Sequence, residues 1–173
     1  MKRNVILIGL SGSGKTTVGA AVAGMIGGGF CDCDEAIEKK LGQSIVEIFA
    51  EQGEEAFRRV EEELMNEAIL DGVPGVIVPG GGWCVQGENM SVALRSGLTV
   101  YLQVAPAEAI ERLKESAPRP LLGTPDSAVV LSAQLDSRRE VYERSEVAVD
   151  TNGKEPQRVA LTVANLARKL AGW

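Results

Sequence analysis

Eight consecutive residues, Gly9-Leu10-Ser11-Gly12-Ser13-Gly14-Lys15-Thr16, constrain this chain more than any other feature. They fit the pattern G-x-x-x-x-G-K-[ST] in full. The run before them, Val5-Ile6-Leu7-Ile8, is continuously aliphatic, as a strand buried on both faces must be. The stretch 15–26 reads as a helix that Gly27-Gly28-Gly29 ends. A strand, a glycine-rich loop and a helix in that order make a cradle for phosphate. The loop points successive backbone N–H groups inward, where side chains would obstruct the approach. It ends at a helix N-terminus, whose unpaired N–H groups and dipole favour negative charge. Lys15 supplies a mobile charge for the β and γ phosphates, and the Thr16 hydroxyl is the expected Mg²⁺ ligand. The nucleotide-binding set is therefore Gly12, Ser13, Gly14, Lys15, Thr16 and Thr17. The alternative, a glycine-rich turn with an incidental lysine, is disfavoured by the strand and helix on either side.

Four further apolar runs predict strands at 30–33, 76–78, 99–104 and 147–149. Helices are predicted at 34–41, 44–52, 53–70, 91–95, 106–114, 127–143 and 156–170. Five strands, each followed by helix, give a doubly wound α/β domain: a parallel sheet between two helical layers, joined by right-handed crossovers. A length of 173 residues suits one domain. The stretch 116–126 holds three prolines and a glycine and carries no helical pattern.

The net charge of −6 argues against nucleic acid or an anionic membrane as partner, because both need a basic field. The N-terminal apolar run is too short for a secretory signal or a membrane span. Three cysteines, Cys31, Cys33 and Cys84, and no histidine disfavour a zinc site and read as free thiols in the cytoplasm.

The remaining signals point to an acceptor. Asp32 and Asp34 alternate at the carboxyl end of the second strand, so an extended chain would project both toward a ligand. One could assist Mg²⁺, and the other could take a proton from an attacking hydroxyl. Alternatively, Asp34 caps the following helix. In Phe57-Arg58-Arg59-Val60-Glu61, one arginine could enter the cleft, while Glu61, Glu62 and Glu63 read mostly as a solvated face. Gly80-Gly81-Gly82 follows the third strand and permits close approach by a ligand. Arg119, in Arg119-Pro120-Leu121-Leu122, could stabilise a transferring phosphoryl group from a closing loop, with Arg112 seven residues upstream.

Taken together, these motifs resemble the shikimate kinase family. The matching pieces are the loop 9–16, Phe30-x-Asp32-x-Asp34 with Ile37-Glu38, Phe57-Arg58-x-x-Glu61, Gly80-Gly81-Gly82, Arg119-Pro120-Leu121-Leu122, and Arg138 four residues before Tyr142. The resemblance implies a nucleoside monophosphate kinase-like three-layer fold, with a substrate-binding region near 32–61 and a lid near 112–126. It implies transfer of phosphate from ATP, with Mg²⁺, to shikimate, giving shikimate 3-phosphate in aromatic amino acid biosynthesis. Separately, the chain is expected to be a cytoplasmic monomer. The resemblance assigns Asp34, Arg58, Gly80, Gly81, Gly82 and Arg138 to shikimate. Lys15 and Arg119 flank the transferred phosphate, with Asp34 beside them as base. Arg112 falls near the nucleotide phosphates, Lys154 on adenine, and Asp32 with Thr16 at Mg²⁺.

The chain departs from the family pattern at Pro79 and at Trp83-Cys84, which are expected to alter the acceptor wall. A related small-metabolite kinase, such as a gluconate kinase, is the nearest alternative, though the histidine usual after an aspartate there is absent. A non-catalytic nucleotide-binding paralogue is the other alternative. It is disfavoured because Lys15, Asp34 and Arg119 are all present.

Overall fold

The computed structural model of the chain describes residues 1–70, 73–114 and 127–173. Five parallel strands, β1 (Asn4–Ile8), β2 (Gly29–Asp32), β3 (Gly75–Val78), β4 (Gly97–Gln103) and β5 (Val147–Asp150), lie in the order β2-β3-β1-β4-β5. The helices are α1 (Lys15–Ile26), α2 (Cys33–Leu41), α3 (Ile45–Leu70), α4 (Asn89–Ser96), α5 (Pro106–Lys114), α6 (Ser127–Tyr142) and α7 (Pro156–Leu170).

Strand alternation divides the apolar residues between two cores. Val5 and Leu7 of β1 pack with Val76, Val78, Leu98, Val100 and Leu102 against α1 and α7. Ile6 and Ile8 point the other way, with Ile77 and Tyr101, against α2, α3, α4 and α6. Each aliphatic side chain buried in this way contributes roughly 1.5–3 kcal/mol, which is why a run such as Val5-Ile6-Leu7-Ile8 commits to the centre of the sheet.

The two helices predicted at 44–52 and 53–70 are continuous as α3 but change direction at Gly53, whose φ of 80° and ψ of 173° are not helical. A short 3₁₀ turn, Trp83–Val85, follows the triple glycine and was not foreseen. The strand expected at 30–33 ends one residue earlier, because Asp32 is the N-cap of α2: its carboxylate accepts from the N–H of Asp34 at 3.0 Å and of Glu35 at 3.3 Å. Capping therefore falls to Asp32 and not to Asp34, and Asp34 stands on a helix, so the two-residue alternation does not apply to it. The stretch 115–126, with Arg119 and most of the expected lid, lies outside the described residues.

Candidate active site

The order β3-β1-β4 sets the loops after β1 and β3 side by side at the carboxyl end of the sheet, where open α/β sheets bind ligands. The loop after β1 turns through Gly12 and Gly14, at φ 80° and 89°, into the first turn of α1. A Cβ on Gly12 would lie 2.6 Å from the Ala109 carbonyl oxygen, so only glycine fits there. Gly14 caps α1 without a side-chain bond, which leaves the amides of the first turn for a ligand. Lys15 is nearly buried, and its Nζ donates to the carbonyls of Gly9 at 2.9 Å and Leu10 at 3.0 Å.

A cavity of about 530 Å³ opens over this loop. It takes in the whole predicted nucleotide set, 12–17, together with Asp32, Asp34, Pro79, Gly81, Arg112 and Lys154. The Thr16 hydroxyl donates to Asp32 Oδ2 at 2.6 Å. Two hard oxygens so paired beside a phosphate cradle form a donor set that suits Mg²⁺.

At the far end of the cavity, Arg112 on α5 bonds the Thr151 hydroxyl at 3.1 Å, the Thr151 carbonyl at 2.7 Å and Glu108 Oε1 at 2.5 Å. Glu108 also accepts from the Gly153 N–H at 2.9 Å, tying α5 to the loop after β5. Lys154, on that loop, is bonded to the Asp150 carbonyl at 2.8 Å and its carboxylate at 2.9 Å. That bond, with those from Asn152, holds the Asp150 carboxyl down to about 2.

The triple glycine connects the cradle to the acceptor residues. A Cβ on Gly81 would touch Gly9 O and Ser11 of the phosphate loop at 3.5 Å. One on Gly80 would overlap Glu61 Oε1 and lie 3.3 Å from Asp34 Oδ1. One on Gly82 would lie 2.9 Å from Arg58 Nη2. Arg138 Nη1, on α6, donates to the Gly81 carbonyl at 3.2 Å. Asp34, Arg58 and Arg138 thus converge on one short loop that abuts the phosphate cradle.

Glu61 corrects the sequence reading. Far from joining a solvated face, its side chain is 0% exposed and bonds Arg58 Nη1 at 2.7 Å. Burial raises its pKa, opposed by Arg58 and assisted by the Asp34 charge. A signal was present: Phe57, Glu61 and Met65 recur at four-residue spacing, and all three are buried on one stripe of α3. Glu54 holds the other side of Arg58 at 3.2 Å, and Arg59 does not compete for this position. Trp83 also differs from expectation. Its indole is 1% exposed and sits in the second core beside Cys84 and Tyr142, so of the departures only Pro79 lines the cavity.

Residues 11–168 match the family model described as shikimate kinase. Among curated relatives, the shikimate kinase of Mycobacterium marinum is 43% identical over 157 residues, covering 90% of this chain and 84% of that one. Among solved structures, a shikimate kinase from Acinetobacter baumannii in complex with shikimate is 30% identical, with a TM-score of 0.91 over 98% of this chain and 94% of that one. Another from Bacteroides thetaiotaomicron is 28% identical, with a TM-score of 0.87 over all of both chains.

Proposed function

The chain belongs to the shikimate kinase family, and from that premise we propose that it transfers the γ-phosphate of ATP to the 3-hydroxyl of shikimate. One observation carries the reading. Two arginines, a carboxylate and a triple glycine meet at a single loop that touches the phosphate cradle.

The division of labour follows from the chemistry. Main-chain amides of 12–17 and the Lys15 ammonium hold the polyphosphate, and the lysine charge favours the transition state, where charge on the transferring group is spread over its oxygens. Lys15 exchanges its bonds to the Gly9 and Leu10 carbonyls for phosphate oxygens. Thr16 and Asp32 would hold Mg²⁺, which neutralises phosphate charge when bound. Arg112, which reaches the Gly12 carbonyl of the phosphate loop at 3.4 Å, is assigned to the nucleotide phosphates and Lys154 to the adenine, and Arg119 is expected to complete the phosphate contacts.

Arg58 and Arg138 match a planar carboxylate with paired N–H donors. Asp34 and the glycine amides suit ring hydroxyls. In the step itself, the acceptor oxygen bonds to the γ-phosphorus as the bond to the β–γ bridging oxygen breaks. The hydroxyl proton passes to Asp34, and ADP leaves. A hydroxy acid suits this set: Arg58, held by Glu61 and Glu54, and Arg138 offer N–H donors to a carboxylate, and Asp34 can accept from a hydroxyl.

We infer further that the enzyme acts as a cytoplasmic monomer. Among the described residues, no helix is long and apolar enough to cross a membrane. A coupled ADP-release assay with shikimate, gluconate and nucleoside monophosphates tests the assignment. Turnover is expected with shikimate alone, and preferential turnover of another acceptor refutes it.

A further inference from the structure

The triple-glycine loop has its peptides sorted by direction. Every carbonyl from Gly80 to Trp83 is held by a protein donor. Gly80 O accepts from the Trp83 N–H at 3.1 Å. Gly81 O accepts from the Tyr142 hydroxyl at 2.7 Å and from Arg138 at 3.2 Å. Gly82 O accepts from Gln86 Nε2 at 3.4 Å, and Trp83 O from Asn89 Nδ2 at 3.0 Å. No hydrogen bond among the described residues engages the N–H of Gly80, Gly81 or Gly82. A trans peptide is planar, so a carbonyl tied to one side turns the following N–H to the other. The amides of Gly81 and Gly82 are turned away from these tethers in this way and left to donate to an anionic or hydroxylic ligand.

Among these tethers, Tyr142 makes the shortest bond, and it comes from outside the loop's own stretch of chain. The residue is fully buried at the C-terminus of α6. Its ring packs against Tyr101 at a tilt of 36°, with centroids 5.1 Å apart, inside the second core. Burial raises its pKa well above the ordinary tyrosine value, which keeps it a proton donor at any working pH. Arg138, one helical turn earlier, shares the same carbonyl. If Arg138 turns to an acceptor carboxylate, Tyr142 is the donor that remains on Gly81.

We propose that Tyr142 is a positioning residue for the acceptor. Its hydroxyl fixes the Gly81–Gly82 peptide so that the loop's amides face the acceptor pocket, and it frees Arg138 to bind the acceptor. The inference rests on the shikimate kinase reading and adds to it a residue that touches neither substrate.

The test is steady-state kinetics of Tyr142→Phe, which keeps the ring packing and deletes only the hydroxyl. Tyr101→Phe is the control, since it alters the same aromatic pair without touching the loop. For Tyr142→Phe, the KM for shikimate should rise about five- to tenfold, the worth of one hydrogen bond, while the KM for ATP stays within about twofold. Tyr101→Phe should leave both unchanged. An unchanged shikimate KM in Tyr142→Phe, even with a lowered Tm, overturns the proposal, as does an equal rise in both KM values or in both variants. A wild-type protein that does not phosphorylate shikimate refutes the functional reading itself, a different outcome from a wild-type rate that Tyr142→Phe leaves intact.

Discussion

Replacing Glu61 by alanine isolates the buried ion pair on which the acceptor site is built. Glu61 is inaccessible to solvent, and Arg58 retains only 18% of its side-chain exposure. Burial raises the Glu61 pKa, while Glu61 and Glu54 raise that of Arg58 against its own burial, so desolvation and attraction oppose each other and the intact pair is a weak source of stability. The loss on deletion therefore comes from what is left behind: a largely buried guanidinium and an unfilled space beside Gly80. Breaking such a pair costs about 3–5 kcal/mol. The lower end applies, because Glu54 still holds Arg58 at 3.2 Å, although from a position 61% exposed. For a chain of this size, about 3 kcal/mol corresponds to a fall in Tm of roughly 6–12 °C. Thermal denaturation followed by circular dichroism measures it, with the exposed neighbour Glu62→Ala as reference. Arg58 also loses its direction, so the KM for shikimate should rise at least about tenfold, while that for ATP changes little. A Tm within about 2 °C of wild type would refute the claim that Glu61 holds Arg58.

Lys15→Met should abolish phosphoryl transfer, with far-ultraviolet circular dichroism unchanged. Wild-type turnover in this variant would remove the lysine charge from the chemistry. Gly80→Ala should lose acceptor binding, because the added carbon overlaps Glu61 Oε1. Calorimetric titration with shikimate reads this, and retained affinity would show that the loop can shift. Stability should depend on pH through Glu61 in a definite sense. A carboxyl whose folded pKa is raised binds more protons folded than unfolded, so stability declines as pH rises above about 4.5 toward the folded value. Glu61→Gln should flatten that decline in urea titrations, and an unchanged slope would contradict the burial argument. At the acid end the sign reverses for Asp150, whose folded pKa lies at about 2. Stability contributed above the ordinary aspartate value is lost as pH falls toward 2, and Asp150→Asn should lack that loss.

The sheet was legible because buried parallel strands leave plain aliphatic runs, and the phosphate loop because glycines at fixed spacing have few other uses. The triple glycine after the third strand was legible as a ligand loop, and the order that sets β3 beside β1 brings it against the phosphate cradle. Local hydrogen bonding was less visible. Asp32 and Asp34 looked equivalent until the helix start chose Asp32 as its cap. Glu61 looked solvated because three adjacent glutamates hide the four-residue stripe that buries only the first. Tyr142 entered the sequence reading as a spacing marker after Arg138. Its bond to Gly81 joins residues 61 positions apart and leaves no local pattern.

The most direct measurement is a crystal structure of the protein soaked with shikimate and ADP. The acceptor carboxylate should bridge Arg58 and Arg138, with a ring hydroxyl about 3 Å from Asp34 and facing the cradle at Lys15. A carboxylate seated away from both arginines, or a ring with no hydroxyl near Asp34, would contradict the account.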